Sequence, residues 1–323
     1  MGSQTAIQWC DRTFNPWVGC SKVHTGCLNC YAEADFDKRK HFAHWGPHGT
    51  RVKTTKEYWR KPFTWNAAAK LGNFRERVFC ASLADVFENW TGRIFDSNGL
   101  TLHHGKIWGS IEKYLALDVA VGKSVVTMDD LRRDLFSIID ITPNLDWLLL
   151  TKRPENILNK WLSKRDLLPI FPVPPSKLGL PIHGLLNEAF RRNVWLGTSV
   201  SDQSTTNAAI PELLKCRDLS PVLFLSVEPL VGPIEAIPKL DRLDWVIVGG
   251  ESGPNARPCR MSWIASIIRQ CKGAGVPCFV KQLGSNAVGF YGSSIKDKAG
   301  GDPNEWPEEF RVRQFPTVTV LPL

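Results

Sequence analysis

Three cysteines near the start of the chain, Cys20, Cys27 and Cys30, are separated by six and then two residues and run into Tyr31-Ala32-Glu33. They stand in loop-like sequence, with Asn15-Pro16-Trp17-Val18-Gly19 before the first and Gly26 before the second. Three clustered thiolates suit an iron–sulfur cluster with one iron lacking a protein ligand, or a zinc site completed from elsewhere. An open iron can bind a small molecule and do chemistry, whereas a closed four-thiolate site holds structure or passes electrons. The remaining six cysteines are unevenly spaced, and nine in total leaves one over in any pairing. In a reducing compartment such clustering points to metal or catalysis rather than disulfides. Cys80, Cys216 and Cys278 sit in apolar sequence and read as buried thiols; Cys259, Cys271 and Cys278 form a looser second group.

Further along, short apolar runs each end in polar or glycine residues. The runs are 78–82, 147–151, 194–199, 222–226, 245–250 and 277–282. Unbroken apolar runs of this length fit parallel strands buried on both faces. Helical periodicity separates several of them, at Met128–Ile139, Thr205–Cys216 and Ser262–Gly273, with Asp202 or Ser262 as N-terminal caps. Strand–helix alternation predicts an α/β fold, a full or partial βα-barrel, whose functional loops gather at the strand C-terminal ends. The residues at those ends are Ser82 and Asp85, Lys152 and Arg153, Ser199 with Asp202, Glu228, Gly249-Gly250-Glu251, and Lys281 with Gln282. Together they read as one mouth lined from all sides.

The barrel is expected over 1–290, with the cysteine loop at 15–33. Insertions are expected near 88–127 and near 165–190, the latter carrying five prolines. Residues 291–323 read as a C-terminal extension packed on the barrel. No stretch of about 18 apolar residues is present and the N-terminus lacks the apolar core of a signal peptide, so a cytoplasmic protein without membrane association is expected.

The net charge is +8 and the pI about 9.0, which favours polyanionic partners such as DNA or RNA. The segment Lys38–Trp65 interleaves cations with aromatics, and Arg51, Lys53, Lys56, Tyr58 and Trp59 are its candidate substrate contacts, cations for phosphates and rings for bases. The bland reading is a solvated face with core-facing rings. His41, His44 and His48 in the same segment are weak metal candidates. No phosphate-binding loop, dinucleotide fingerprint or nucleophile elbow is present.

The triad itself leaves four readings: a [4Fe–4S] cluster open for S-adenosylmethionine, the same cluster closed by Cys10, zinc completed by Cys10 or His24, or unrelated thiols. A cysteine triad after the first strand of a βα-barrel resembles the radical S-adenosylmethionine superfamily, whose usual spacing is C-x3-C-x2-C. More closely, the chain resembles a phage- and prophage-associated three-cysteine-motif family that is radical-SAM-like. The matching pieces are Asp11–Trp17, the triad with Tyr31-Ala32-Glu33, Leu150–Pro154, Leu225–Leu230, Gly249–Pro254, Val280–Gln282 and Gly301–Pro307.

The resemblance implies a [4Fe–4S] cluster on Cys20, Cys27 and Cys30, S-adenosylmethionine as cofactor, and reduced flavodoxin or ferredoxin as electron donor. It implies a 5′-deoxyadenosyl radical acting on a substrate, here expected to be nucleic acid or a nucleotide; the catalytic residue on the protein side is unassigned. On that reading Lys152 or Arg153 meets the cofactor carboxylate. Ser82, Asp85, Ser199 and Glu228 accept from its amine and hydroxyls. Gly249-Gly250 allows close approach to adenine or ribose, with Glu251 accepting a hydrogen bond. The rival classes are a non-catalytic nucleic-acid-binding protein with structural zinc or a closed cluster, and a radical enzyme acting on a peptide or small metabolite.

Overall fold

The structure, a computed structural model, describes residues 5–103, 125–163, 189–289 and 295–318. Most of the first expected insertion and nearly all of the second lie outside these residues. Seven strands build one sheet: β1 (Arg12–Phe14), β2 (Glu76–Cys80), β3 (Leu145–Thr151), β4 (Val194–Val200), β5 (Val222–Val227), β6 (Trp245–Gly249) and β7 (Cys278–Gln282). They lie side by side in chain order and every pair is parallel. β1 and β7 form the two edges, so the sheet curls into an open half-barrel rather than a closed one.

Period-two alternation decides what each face of the strands meets. One set of side chains, including Val78, Trp147, Leu149, Leu196, Leu225, Val246 and Val280, belongs to the main core. That core also holds residues of helices α1 (Lys61–Gly72), α2 (Met128–Ile141), α3 (Gln203–Leu214) and α4 (Met261–Ala274). The alternate set, Phe79, Leu148, Trp195, Phe224, Trp245, Ile247 and Phe279, fills the concave side together with Trp9. Trp245 is its hub, with ring centroids 5.8–6.3 Å from Phe224, Trp195, Phe279 and Trp9. Gly197 is needed there because a Cβ would stand 2.4 Å from the Phe224 ring. This aromatic plug blocks the half-barrel below the strand C-termini and leaves the space above them for a site.

Asp202 caps α3 as the sequence suggests: its side chain accepts from Thr205 N–H and Thr205 answers in a capping box. Thr127 and Asp130 do the same for α2. Ser262 caps nothing, because α4 already begins at Met261 and Ser262 falls inside its first turn.

A small second sheet joins Trp17–Val18, Arg51–Lys53 and Ile94–Phe95, so the start of the expected first insertion is tied to the cysteine loop. Residues 295–318 run along β7, with Val280 N–H donating to Val312 O and Gln314 N–H to Cys278 O, and they place Trp306 and Phe310 in the core. Among the described residues no helix is long and apolar enough to cross a membrane.

Candidate functional site

A cavity of about 530 Å³ opens above the aromatic plug, at the C-terminal ends of the strands. All three loop cysteines line it, as do Ser82, Asp85, Lys152, Arg153, Ser199, Glu228, Gly250 and Glu251. The fold therefore brings together residues far apart in sequence, Cys20 and Glu251 among them, 231 positions apart. Trp9 and Phe79 from the plug also line it.

The cysteine loop is held by buried polar groups. Gly19, with φ +114°, turns the chain into Cys20 where a Cβ would meet Thr50 O at 2.3 Å. Asn15 Oδ1 accepts from Leu83 N–H and Ser82 Oγ, docking the loop on the segment after β2. His24 Nδ1 accepts from Gly26 N–H and starts the short turn Thr25–Cys27. With that lone pair engaged, the proton sits on Nε2 and His24 is not disposed to complete a zinc site. Burial, then the charge of Lys152, lowers its pKa to about 4.

Several residues expected to touch a cofactor instead hold this loop. Asp85 is buried and accepts from Thr151 Oγ1, Phe87 N–H, Lys152 N–H and Arg153 Nη1, which leaves it no capacity for a ligand. Arg153 is paired with Asp85 at 2.9 Å and Glu88 at 3.3 Å, and donates to Ser21 O at 2.6 Å and to Cys20 Sγ at 3.6 Å. It is spent on Asp85, Glu88 and the Cys20 sulfur and is not free for a cofactor carboxylate, so the choice between Lys152 and Arg153 falls to Lys152. Glu251 takes three hydrogen bonds from Arg257 and one from Asn29 Nδ2, so it clamps the loop between Cys27 and Cys30 to the end of β6. Burial pushes its carboxyl upward, but these donors outweigh it and leave it below the usual range.

Gly250 serves chain packing, not adenine: a Cβ there would lie 2.3 Å from Leu283 O. Gly249 is close-packed too, its missing Cβ 3.1 Å from Glu228 Oε1. Ser82 Oγ and Ser199 Oγ are likewise engaged, with Asn15 Oδ1 and Glu228 O.

Lys152 is different. Its side chain is half-buried in the cavity wall and has no hydrogen-bond or ion-pair partner among the described residues. Its charge lowers the pKa of His24 and works against the rise at Cys30. Burial is the main cause of that rise, and burial followed by Glu88 pushes Cys20 up to about 12. As thiols these groups are neutral in the bare chain, and a metal would have to displace their protons. Among the described residues no three His, Cys, Asp or Glu side chains converge as metal ligands; the thiols share a cavity wall rather than a preformed triangle. Three thiols facing one cavity with an uncommitted ammonium still fit, in donor chemistry, a cluster with an open position. Cys10 does not line the cavity; its Sγ contacts Ile7 O at 3.7 Å and burial raises its pKa to about 12.

The candidate nucleic-acid contacts are a correction. Arg51 is fully buried, paired with Glu88 at 2.7 Å and stacked under Trp90 at 3.9 Å. Lys53 pairs with Asp134 at 3.3 Å and lies 4.5 Å from the Trp59 ring. Tyr58 OH accepts from Asn15 N–H and donates to Thr13 O, and Trp59 Nε1 donates to Pro16 O. These four side chains support the cysteine loop from behind and present no face to bases or phosphates; Lys56 alone is partly exposed. His44 pairs with Asp37 at 3.2 Å and His41 is exposed. Cys259, Cys271 and Cys278 are buried in the main core.

A family model described as Protein of unknown function (DUF5131) matches residues 4–104 and 122–305. The chain belongs to this family. No curated protein and no solved structure matches it. Within this DUF5131 chain, sequence reasoning missed Glu88, Asn29 and Arg257: Glu88 and Asn29 have partners 37 to 222 residues away, and Arg257 meets Glu251 across a turn of 6 residues. Only Asn29, lying inside the triad, carried a positional hint.

Proposed function

We propose that the chain is a radical S-adenosylmethionine enzyme in which Cys20, Cys27 and Cys30 hold a [4Fe–4S] cluster. The observation that supports this most is a single cavity that joins the three thiols, an unpartnered ammonium on Lys152 and the C-terminal ends of a parallel half-barrel. A purely structural zinc site would leave both the cavity and the half-buried, uncommitted cation without a use. When bound, an open-iron cluster with S-adenosylmethionine supplies one-electron cleavage of the sulfonium to a 5′-deoxyadenosyl radical.

The chain's own residues do the rest. Arg153 donates to the Cys20 sulfur, Glu251 and Arg257 fix the Cys27–Cys30 side of the loop, and Lys152 offers its charge to a carboxylate. The aromatic plug keeps water from entering the half-barrel from below. Reduced flavodoxin or ferredoxin in the cytoplasm is the proposed electron donor. A nucleic-acid substrate now rests on the net charge of +8, since the basic aromatic segment is largely buried.

Protein purified without oxygen should carry about four irons per chain. Cys20→Ala, Cys27→Ala and Cys30→Ala should each abolish the iron, and Cys10→Ala should keep it. With dithionite and S-adenosylmethionine it should release 5′-deoxyadenosine, and Lys152→Met should raise the cofactor concentration needed without changing iron content. Colourless protein with stoichiometric zinc overturns the proposal.

A further inference from the structure

One pair of charges in the cavity holds no loop. Glu228, just beyond β5, and Lys281, near the end of β7, face each other with Oε1 and Nζ 2.9 Å apart, and both line the cavity. Ser226 Oγ donates to Glu228 Oε2 at 3.1 Å. The ammonium meets Oε1 as a charge contact poorly directed for a hydrogen bond, so that buried oxygen keeps a lone pair open to a ligand's donor. Trp9 Nε1, also buried in a cavity-lining side chain, has no acceptor among them either.

We infer that this pair recognises a planar, neutral heterocycle presenting a carbonyl next to a ring N–H, the lactam or imide edge of a nucleobase. This rests on reading the cavity as the substrate site and names the class of group it admits. Charge argues for neutrality: an anion drawn to Lys281 meets Glu228, and a cation drawn to Glu228 meets Lys281. A carbonyl beside an N–H satisfies both at once, the carbonyl accepting from Lys281 or Trp9 and the N–H donating to Glu228 Oε1. The surroundings argue for a flat ring. Trp9, Phe79 and Tyr31 line the same cavity, and Trp9 and Phe79 are fixed by packing, their ring centroids 4.7 Å apart. A cavity of about 530 Å³ has room for a base with its sugar.

The test titrates intrinsic tryptophan fluorescence of the anaerobically purified protein, without dithionite or S-adenosylmethionine. The ligands are uridine and 3-methyluridine, which keeps both carbonyls and loses the N–H. Uridine should quench saturably and 3-methyluridine should bind about tenfold more weakly or worse, as expected for losing a hydrogen bond to a carboxylate. Because a lone substitution would strand a charge, the variant is the double Glu228→Leu/Lys281→Met, which replaces the pair with apolar groups of similar volume. It should lose about tenfold in uridine affinity, with iron content and melting temperature kept near wild type.

Equal affinity for the two nucleosides, unchanged affinity in the double variant, or no saturable quenching overturns the inference. Iron content is measured on the same samples. Nucleoside discrimination in protein that binds no iron would defeat the radical-enzyme reading and leave this site standing; iron without discrimination would do the reverse.

Discussion

Replacing Arg153 with Met should destabilise the protein by about 3 kcal/mol, and the structure says why the figure is no larger. The side chain is 8% exposed and joins Asp85, Glu88, Ser21 O and Cys20 Sγ. Stranding a buried carboxylate by deleting its partner costs roughly 3–5 kcal/mol. Here neither carboxylate is fully stranded. Asp85 keeps Thr151, Phe87 N–H and Lys152 N–H, and Glu88 keeps a two-point contact with Arg51 at 2.7 and 2.8 Å and Ser21 N–H at 2.9 Å. The lower end of the range therefore applies.

With an unfolding entropy of about 2.1 cal/mol/K per residue, a chain of this length should melt about 4 °C lower. Differential scanning calorimetry of the metal-free protein reads this directly. The double variant Asp85→Asn/Arg153→Met should recover part of the loss, because it removes one of the two carboxylates left behind. A melting temperature within about 1 °C of wild type for Arg153→Met, or additive losses in the double variant, would show that the ion pairs contribute nothing and that Arg153 does not brace the loop.

Three further outcomes follow from burial and charge. Trp59→Ala should cost about 3–5 kcal/mol in urea unfolding and leave nucleic-acid affinity unchanged, since the ring is 2% exposed and packs on Phe14. Gly250→Ala should cost about 1–3 kcal/mol, because its new methyl would have to displace the Leu283 carbonyl. The third concerns pH in the metal-free protein: His24 takes its proton at about 6.5 when unfolded and only near about 4 when folded, so stability is full above 6.5 and falls on acidification through that window. His24→Asn keeps an acceptor for Gly26 N–H and should flatten the dependence; an unchanged slope of urea midpoint against pH would show that His24 is not its source.

The strands were legible because burial on both faces leaves little room for polar residues, and runs such as Val222–Leu225 show it without interruption. β1 was not, since Arg12-Thr13-Phe14 is short and its arginine turns to Glu76 at the sheet edge. The cavity was legible as a set of polar strand ends, but which of them were committed was not. Lys38–Trp65 misleads for the same reason: Arg51 and Lys53 read as solvent-facing cations because their compensating carboxylates, Glu88 and Asp134, are 37 and 81 residues away. Composition registers a charge without its partner, and only the fold brings the two together.

That distinction sorts the mouth of the half-barrel into two working sets. Asp85, Glu88, Arg153, Glu251 and Arg257 neutralise one another while fixing the cysteine loop, so their loss should appear first as instability and, on the proposed reading, as poor iron retention. Lys152 and the Glu228–Lys281 pair are not consumed in holding the loop, and they lie on the same cavity as the thiols. Their loss should leave the fold and, on the proposed reading, the iron intact while changing what the cavity binds. A half-buried cation without a partner is costly, as is a buried carboxylate oxygen whose neighbouring ammonium is poorly directed for a hydrogen bond, and chains tolerate such costs where a ligand relieves them. Chemical selectivity in this protein is therefore to be sought at Lys152, Glu228 and Lys281, whereas the more numerous charges around them are structural.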